Sequence, residues 1–253
     1  MIYANREARL GTKVRGIKDR QSLSEDTPLW VGQVTTKELA VEISDKPAVA
    51  QSAVVAPDLK AVAEGRGWKK MGDLELQWVA DAKGKPALRI KPAGNGGVLL
   101  VDGLEFGNGE IEFDCLGQSG PRQSNFLGIA FRAVDEKTHD AVYFRPFNFR
   151  AGDAEQKAHA VQYVSHPQWG WERLRKEKTG QYEKGIEPPR DGDAWFHVRI
   201  AVQKPKVGVF VNGSQTPSLV VDELTDRNRG EIGLWIGPGQ GGHFANLKIS
   251  PAK

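Results

Sequence analysis

The chain has 253 residues, a length that suits one large all-β domain as well as two small domains. Lysine and arginine number 35 against 32 for aspartate and glutamate, a net charge of +3. Nucleic-acid binding usually needs a concentrated basic face, and this near balance does not argue for one, so we expect no nucleic-acid partner. No apolar run reaches the roughly 18 residues that a membrane helix needs, so we expect no insertion into a membrane.

Residues 1–57 differ in pattern from the rest of the chain. They begin with a segment rich in arginine and lysine and end in the stretch PAVAQSAVVAP. We predict an N-terminal arm or edge segment here, partly disordered, followed by one domain over residues 58–253. The opening residues MIYANREARL lack the apolar stretch of a signal peptide.

From residue 58 onward, strand-like runs recur between clusters of Gly, Pro, Asn and Asp, which are turn residues. The runs are LELQWVAD, ALRIKP, GVLLVD, GEIEFDCLG, FLGIAFRA, AVYFRPFNF, HAVQYVSH, WFHVRIAVQ, KVGVFVNG, LVVDEL, EIGLWIG and HFANLKIS. Short helices are predicted only near 58–64 and 172–178. Many short strands without alternating helices predict an all-β fold, a sandwich of two antiparallel sheets.

The last third of the chain carries a recognisable pattern. A strand opened by Trp195 leads to a strand that ends in the turn Asn212-Gly213, and the strands GEIGLWIG and HFANLKI follow. With the early strand GNGEIEFD, this pattern resembles the concanavalin A-like jelly roll of lectins and glucanases. It is similar above all to the 3-keto-disaccharide hydrolase group, over roughly residues 58–250. The resemblance implies a jelly-roll β-sandwich and export from the cytoplasm. It leaves the activity open, because this architecture hosts lectins, hydrolases, lyases and adhesion modules.

Three neighbouring runs, FLGIAFR, AVYFRPFNF and HAVQYVSH, carry polar side chains in strand alternation. Because successive side chains of a strand point to opposite faces, these polar groups are expected to share one surface. They are Arg132, Tyr143, Arg145, Gln162 and His166. Such groups hydrogen-bond planar or hydroxylated ligands. The alternative is a solvated outer face with ordinary cross-strand pairs.

The segment 165–185 follows these strands and is rich in tryptophan and arginine. Trp169 and Trp171 are candidates for stacking on a sugar ring, and Arg173 for binding its hydroxyl groups. The alternative is a loop that folds back and buries its tryptophans. We predict a mixture, with one tryptophan buried and one exposed.

These patterns favour a carbohydrate-active protein that binds an oligosaccharide or polysaccharide on a concave sheet. As an enzyme, it would cleave a glycosidic bond by hydrolysis or elimination, with Tyr143 or His166 moving the proton. Arg145, as the third catalytic group, and Arg132 would hold the substrate, and Gln162 would orient it. The alternative, from a different class, is a non-catalytic lectin-like or adhesion module. The sugar, its linkage and the oligomeric state stay open.

A second set of acids lies in the run GEIEFDCLG. Glu110, Glu112 and Asp114 alternate with apolar residues and are expected to share a face. Paired carboxylates serve as nucleophile and acid in glycosidases, but the spacing E-x-E-x-D departs from the glucanase pattern E-x-D-x-x-E. The competing interpretation is pairing with neighbouring Arg or Lys, and Arg145 itself could pair with Glu112 or Asp114. Cys115, the single cysteine, is expected in the core.

The sequence calls for no cofactor. The five histidines form neither an H-x-H pair nor an H-E-x-x-H helix, so no transition-metal site is expected. A structural calcium ion is compatible with a sandwich of this type, with Asn246 as a candidate oxygen ligand. The run GPGQGG at 237–242 matches G-x-G-x-x-G, but a strand follows it, so we predict a hairpin loop.

Overall fold

The computed structural model describes residues 53–252, so most of the predicted N-terminal arm lies outside the described residues. The strands of this part are β1 (Trp68–Val79), β2 (Ala87–Phe106), β3 (Gly109–Leu116), β4 (Leu127–Asp135), β5 (Thr138–Phe144), β6 (Val161–Ser165), β7 (Glu183–Lys184), β8 (Trp195–Gln203), β9 (Lys206–Val211), β10 (Leu219–Asp222), β11 (Gly230–Ile236) and β12 (Gly242–Pro251). The helices are α1 (Leu59–Ala63), α2 (Ala154–Ala158) and α3 (Trp171–Glu177), with a 3₁₀ turn at Pro146–Asn148.

Within residues 53–252 the strands pair in the order β10-β9-β8-β3-β12-β2-β11-β4-β5-β6-β7, and β1 pairs with β2. The pairs are antiparallel, which confirms the predicted all-β, antiparallel fold. The predicted runs ALRIKP and GVLLVD belong to one long strand, β2. Because β2 pairs with β1, β12 and β11, it connects the two halves of the sheet. No helix of this part is long and apolar enough to cross a membrane.

The sheet folds back on itself around an apolar core. Phe144 of β5 packs edge-on against Phe196 of β8, with ring centroids 5.3 Å apart, although these strands are distant in the hydrogen-bonded order. Phe149 adds a third ring, 5.0 Å from that of Phe196. Cys115 is fully buried in this core, as predicted. Because apolar residues alternate along the strands, each strand buries one apolar side in this core, and this burial is the main source of the fold's stability.

Local sequence explains the helices. Helices α1 and α3 confirm the two predicted near 58–64 and 172–178. Helix α2 was not predicted, although Asp153 caps its first turn by accepting a hydrogen bond from the backbone N–H of Gln156 at 2.8 Å. An acidic cap three residues before Gln is a known helix-start pattern, so the signal was present in the sequence.

The turns follow their residue types. Asn212 and Gly213 have φ of +53° and +73°, the left-handed values that this pair was predicted to adopt. The segment 237–241 connects β11 to β12, but β2 lies between these two strands in the sheet, so the connection is a loop that crosses the end of β2 and the predicted hairpin is wrong. At the start of the described residues, Val55 exchanges two backbone hydrogen bonds of 2.8 Å with Ile249, which attaches the end of the predicted arm to β12.

Candidate functional site

A cleft of about 520 Å³ opens over the part of the sheet formed by the consecutive strands β11, β4, β5 and β6, a volume typical of small-molecule sites. Its walls combine polar and aromatic side chains. They are Asn95, Arg122, Gln123, Phe126, Tyr143, Arg145, Phe147, Asn148, Gln156, His159, Val164, His166, Trp171, Arg175, Trp235 and Pro238.

Two stacked aromatic rings form one side of the cleft. The rings of Tyr143 and Trp235 stack with centroids 4.7 Å apart. Gly128 lies between these residues in the sheet, because it pairs with Tyr143 on one side and with Trp235 on the other. A Cβ at position 128 would collide with the carbonyl oxygen of Val142 and with Tyr143. Glycine at this position therefore allows the two rings to meet across β4.

Beside this stack, Tyr143, Arg145 and Gln162 form a buried hydrogen-bond network. The Tyr143 hydroxyl donates to Oε1 of Gln162 at 2.9 Å and accepts from Nη2 of Arg145 at 2.7 Å. Arg145 also donates to Gln162 and, at 2.9 Å, to the carbonyl of His159. Burial raises the pKa of Tyr143, so its phenolate is unfavourable. Gln162 is fully buried beneath the cleft and orients these two residues.

Three basic side chains, Arg145, His159 and Arg175, line one side of the cleft, which we call the cationic wall. They surround a buried carboxylate, Glu183, which is only 3% exposed. Arg175 binds it with two N–H groups, each at 2.9 Å. The Nδ1 atom of His159 lies 2.8 Å from the carboxylate, and Nη1 of Arg145 lies 3.6 Å from it. One carboxylate therefore holds two guanidinium groups and a histidine at the cleft, and the net charge there is positive.

His166 lines the cleft with a partly buried ring. Its ring packs against the buried ring of His139, with centroids 5.2 Å apart. Its backbone N–H donates to the carbonyl of His139 at 2.8 Å. Burial lowers the pKa of His166 below the ordinary 6.5, and burial together with the nearby His166 lowers the pKa of His139 to about 4. Both rings are therefore uncharged at neutral pH.

The low pKa of His139 makes stability pH-dependent. Below pH 6.5 the unfolded chain binds a proton at this residue that the folded chain does not bind, so folding becomes less favourable. We expect the free energy of unfolding to fall between pH 6.5 and about 4, by up to about 1.4 kcal/mol per pH unit. Urea denaturation across this pH range should show a smaller decrease in the free energy of unfolding for His139→Phe than for the wild type. An equal decrease in the free energy of unfolding in both proteins would show that His139 does not cause the pH dependence.

Arg132 lies in the core, away from the cleft. The register of β4 shifts after Phe131, and Arg132 has φ +49°, so the strand alternation used for the prediction breaks at this residue. The side chain is fully buried, forms an ion pair with Glu223 at 2.7 Å and donates to the carbonyl of Gly107 at 3.1 Å. The prediction that Arg132 shares a surface with Tyr143 and Arg145 is therefore wrong.

Among the three aromatic and basic candidates of segment 165–185, Trp171 alone lines the cleft. It is 44% exposed, and the guanidinium of Arg175 lies 5.0 Å from its ring. Trp169 is partly buried against the core, with the Arg173 guanidinium 4.0 Å from its ring. Arg173 forms a salt bridge with Glu177 on the exposed face of α3.

The acids of β3 form structural pairs outside the cleft. Arg199 donates to Glu110 at 2.9 Å, and His197 lies 2.8 Å from Asp114 and 3.7 Å from Glu112. The proposed pairing of Arg145 with Glu112 or Asp114 is not found, because Glu183 is its acidic neighbour.

The predicted calcium ligand has a different partner. Nδ2 of Asn246 donates to Asp114 at 2.7 Å. Within residues 53–252, no group of three or more His, Cys, Asp or Glu side chains is arranged to hold a metal ion. A calcium ion held by backbone carbonyls stays a prediction without an identified site.

Several cleft residues were not predicted from the sequence. Trp235 alternates with the core residues Leu234 and Ile236, so the strand pattern could have placed it on the outer face. Arg175 and Glu183 belong to the tryptophan- and arginine-rich segment 165–185, which the sequence had marked as a whole, whereas His159 had no comparable signal. Glu183 belongs to β7, a strand of only two residues, which is too short to show a period.

Residues 60–250 match the family model described as the 3-keto-alpha-glucoside-1,2-lyase-like domain. This match confirms the resemblance that the strand pattern of the chain predicted. No curated protein sequence matches the chain.

Several solved structures are similar to the chain at low sequence identity. A Bacillus subtilis protein of unknown function with a galectin-like fold is 14% identical, with a TM-score of 0.52 over 79% of this chain and 96% of that one. The carbohydrate-binding module CBM66 of Bacillus subtilis is 14% identical, with a TM-score of 0.48 over 73% and 96%. A putative glycosyl hydrolase from Parabacteroides distasonis is 14% identical, with a TM-score of 0.47 over 80% and 100%. The first of these supports a galectin-like fold and, at this identity, nothing about activity.

Proposed function

Since the chain belongs to the family of 3-keto-alpha-glucoside-1,2-lyase-like domains, we propose that its cleft binds an α-glucoside with a ketone at C3 and eliminates the group on C1. The observation that carries this proposal is the placement of neutral His166 in the same cleft as the cations held by Glu183. We also propose that the folded-back sheet is a two-sheet jelly roll with the cleft on its concave face. A proton acceptor and a cationic wall are what this elimination needs.

The proposed chemistry starts at C2 of the sugar. A ketone at C3 acidifies the C2 proton, because the electron pair left behind spreads onto the ketone oxygen. The proton moves to the ring of His166, and the C2–H electron pair forms the C1=C2 double bond while the C1–O bond breaks. The departing oxygen takes a proton from His159. The products are an unsaturated keto sugar and a free alcohol or sugar, and neither an oxidant nor water is consumed.

The guanidinium groups stabilise the negative charge that develops on the C3 oxygen. Arg145 is 5% exposed and is fixed by Tyr143 and Gln162, so its charge is already oriented before substrate arrives. Arg175 uses Nε and Nη2 for Glu183, and among the described residues Nη1 has no hydrogen-bond partner. That N–H group is therefore available to a ligand oxygen.

His159 is oriented for the second proton. Its Nδ1 faces Glu183 at 2.8 Å, so the other ring nitrogen is left for the substrate. A carboxylate beside one ring nitrogen helps to orient a catalytic histidine toward its substrate. We therefore propose His166 as the base and His159 as the acid. Tyr143 has a positioning role, because its hydroxyl is engaged by Arg145 and Gln162.

The direct test compares two glycosides with a blank. The protein is incubated with methyl 3-keto-α-glucoside, with the same glycoside lacking the ketone, and with buffer alone. Elimination produces a conjugated ketone, which is followed by ultraviolet absorbance, whereas hydrolysis releases a reducing sugar without that absorbance. Absorbance growth with the keto glycoside alone supports the proposal. Sugar binding without turnover on either glycoside would favour the lectin-like module instead.

Arg145→Lys tests the cationic wall. Lysine keeps the charge and loses the planar fork that contacts Tyr143, Gln162 and His159 together. We expect turnover of the keto glycoside to fall by about 10²-fold or more, the usual loss when one transition-state donor is removed. Arg173→Lys is the matched control, because Arg173 lies outside the cleft. Unchanged turnover with a lower melting temperature would make Arg145 purely structural.

A further inference from the structure

A second depression, of about 210 Å³, shares no wall with the cleft. It lies near the beginnings of β2 and β12, and three basic side chains line it: Lys83, Arg89 and His243. Asp193 is the one acid among its lining residues. We call it the basic depression.

Two of these basic residues, Arg89 and His243, are neighbours across two paired strands. Arg89 and His243 are directly opposed residues of the antiparallel pair β2 and β12. Like charges at directly opposed positions of a sheet destabilise it. Burial first, and then the charges of Arg89 and Lys83, lower the pKa of His243. In the folded chain, Lys83 and Arg89 therefore disfavour a positive charge on His243.

Asp193, the one acid of the depression, offsets only part of the charge of the basic side chains. The Asp193 carboxylate accepts hydrogen bonds from the backbone N–H of Ser119, at 3.1 Å, and from the Ser119 hydroxyl. Lys83 donates to the backbone carbonyl of Asp193 at 2.6 Å and not to its carboxylate. The salt bridges among residues 53–252 include neither Lys83 nor Arg89.

We propose that the basic depression is an anion-binding site for a carboxylate or sulfate group, free or carried by a sugar. The half-buried guanidinium of Arg89 would bind two oxygens of the anion, since its planar fork matches carboxylate and sulfate geometry. Lys83 would add a point charge, and the side chains of Gln118 and Gln240 line the same depression as further donors. An anion here offsets the repulsion between the opposed side chains. The site stands independently of any reaction in the cleft.

The test is isothermal titration calorimetry of the full chain at constant ionic strength, with glucuronate, inorganic sulfate and neutral glucose as probes. We expect an anion to bind and Arg89→Gln to weaken its binding by about tenfold or more, as expected for loss of a charge-assisted hydrogen bond. Lys248→Gln is the control, because this exposed lysine of β12 lies outside the depression. If Arg89→Gln fails to fold, Lys83→Gln, in an exposed turn, replaces it.

The probes separate the two sources of the anion. Glucuronate binding without sulfate binding assigns the site to a sugar-borne carboxylate, whereas sulfate binding assigns it to a sulfate group. Affinity should rise as the pH falls below 6.5, because His243 then gains charge beside Arg89, Lys83 and Asp193. Binding of neither anion overturns the proposal. Equal affinity of the wild type and both variants overturns it as well.

Discussion

Replacing His166 by glutamine is expected to lower turnover of a 3-keto-α-glucoside by about 10²–10⁴-fold. His166 is the cleft histidine whose pKa burial has lowered, so it is neutral and can accept a proton at neutral pH. Glutamine keeps a polar side chain of similar reach but accepts no proton. Turnover is measured as the initial rate of absorbance growth at saturating substrate, after thermal unfolding has shown that the variant is folded.

The pH profile gives this prediction a second measurement. In the wild type, kcat should fall at low pH as His166 becomes protonated, and the midpoint should lie below the ordinary histidine value of 6.5. His197→Gln is the matched control, because that ring lies beside Asp114, outside the cleft. Full turnover in His166→Gln would remove this residue from the mechanism and leave His159 as the base.

Replacing Glu183 by glutamine is expected to cost on the order of 3–5 kcal/mol of unfolding free energy, the usual consequence of removing one partner of a buried ion pair. The carboxylate is 3% exposed and lies against Arg145, Arg175 and His159. Without it, the guanidinium of Arg145 stays buried with no acidic neighbour. Urea denaturation of the wild type and the variant measures the loss.

The same substitution should lower turnover in the protein that remains folded. His159 loses the carboxylate that orients its ring, and Arg175 loses its bidentate partner. Glu177→Gln removes an exposed carboxylate from a salt bridge with Arg173 and should change stability by only about 0–1 kcal/mol. If Glu183→Gln lowers the free energy of unfolding as little as Glu177→Gln does, the cationic wall does not depend on the Glu183 carboxylate.

Alternation along single strands predicted part of the candidate site. Tyr143 and His166 line the cleft, and Gln162 lies beneath it. Each of these residues belongs to or adjoins a strand long enough for its two faces to differ in composition. The Asn212-Gly213 turn and the buried Cys115 were predictable for the same reason, since both depend on neighbours close in sequence.

Alternation failed where the backbone leaves the regular strand. Arg132 adopts a left-handed φ within β4, which places its side chain in the core beside Glu223. Arg145 follows the last residue of β5 and precedes a 3₁₀ turn, yet it reaches the cleft because Tyr143 and Gln162 hold its guanidinium. A bulge of one residue reverses the face of a side chain, and composition alone does not reveal it.

The amino-acid sequence by itself determined the all-β architecture, because turn residues and the two-residue period are local properties. The order of its strands and turns also predicted the family, a resemblance that the family match over residues 60–250 confirms. The tertiary structure decided which charges meet at the cleft. Glu183 joins Arg145 and His159 across more than twenty residues of sequence, through a two-residue strand that pairs with β6. Such a contact depends on how the sheet folds back, and the spacing of residues along one strand carries no information about it.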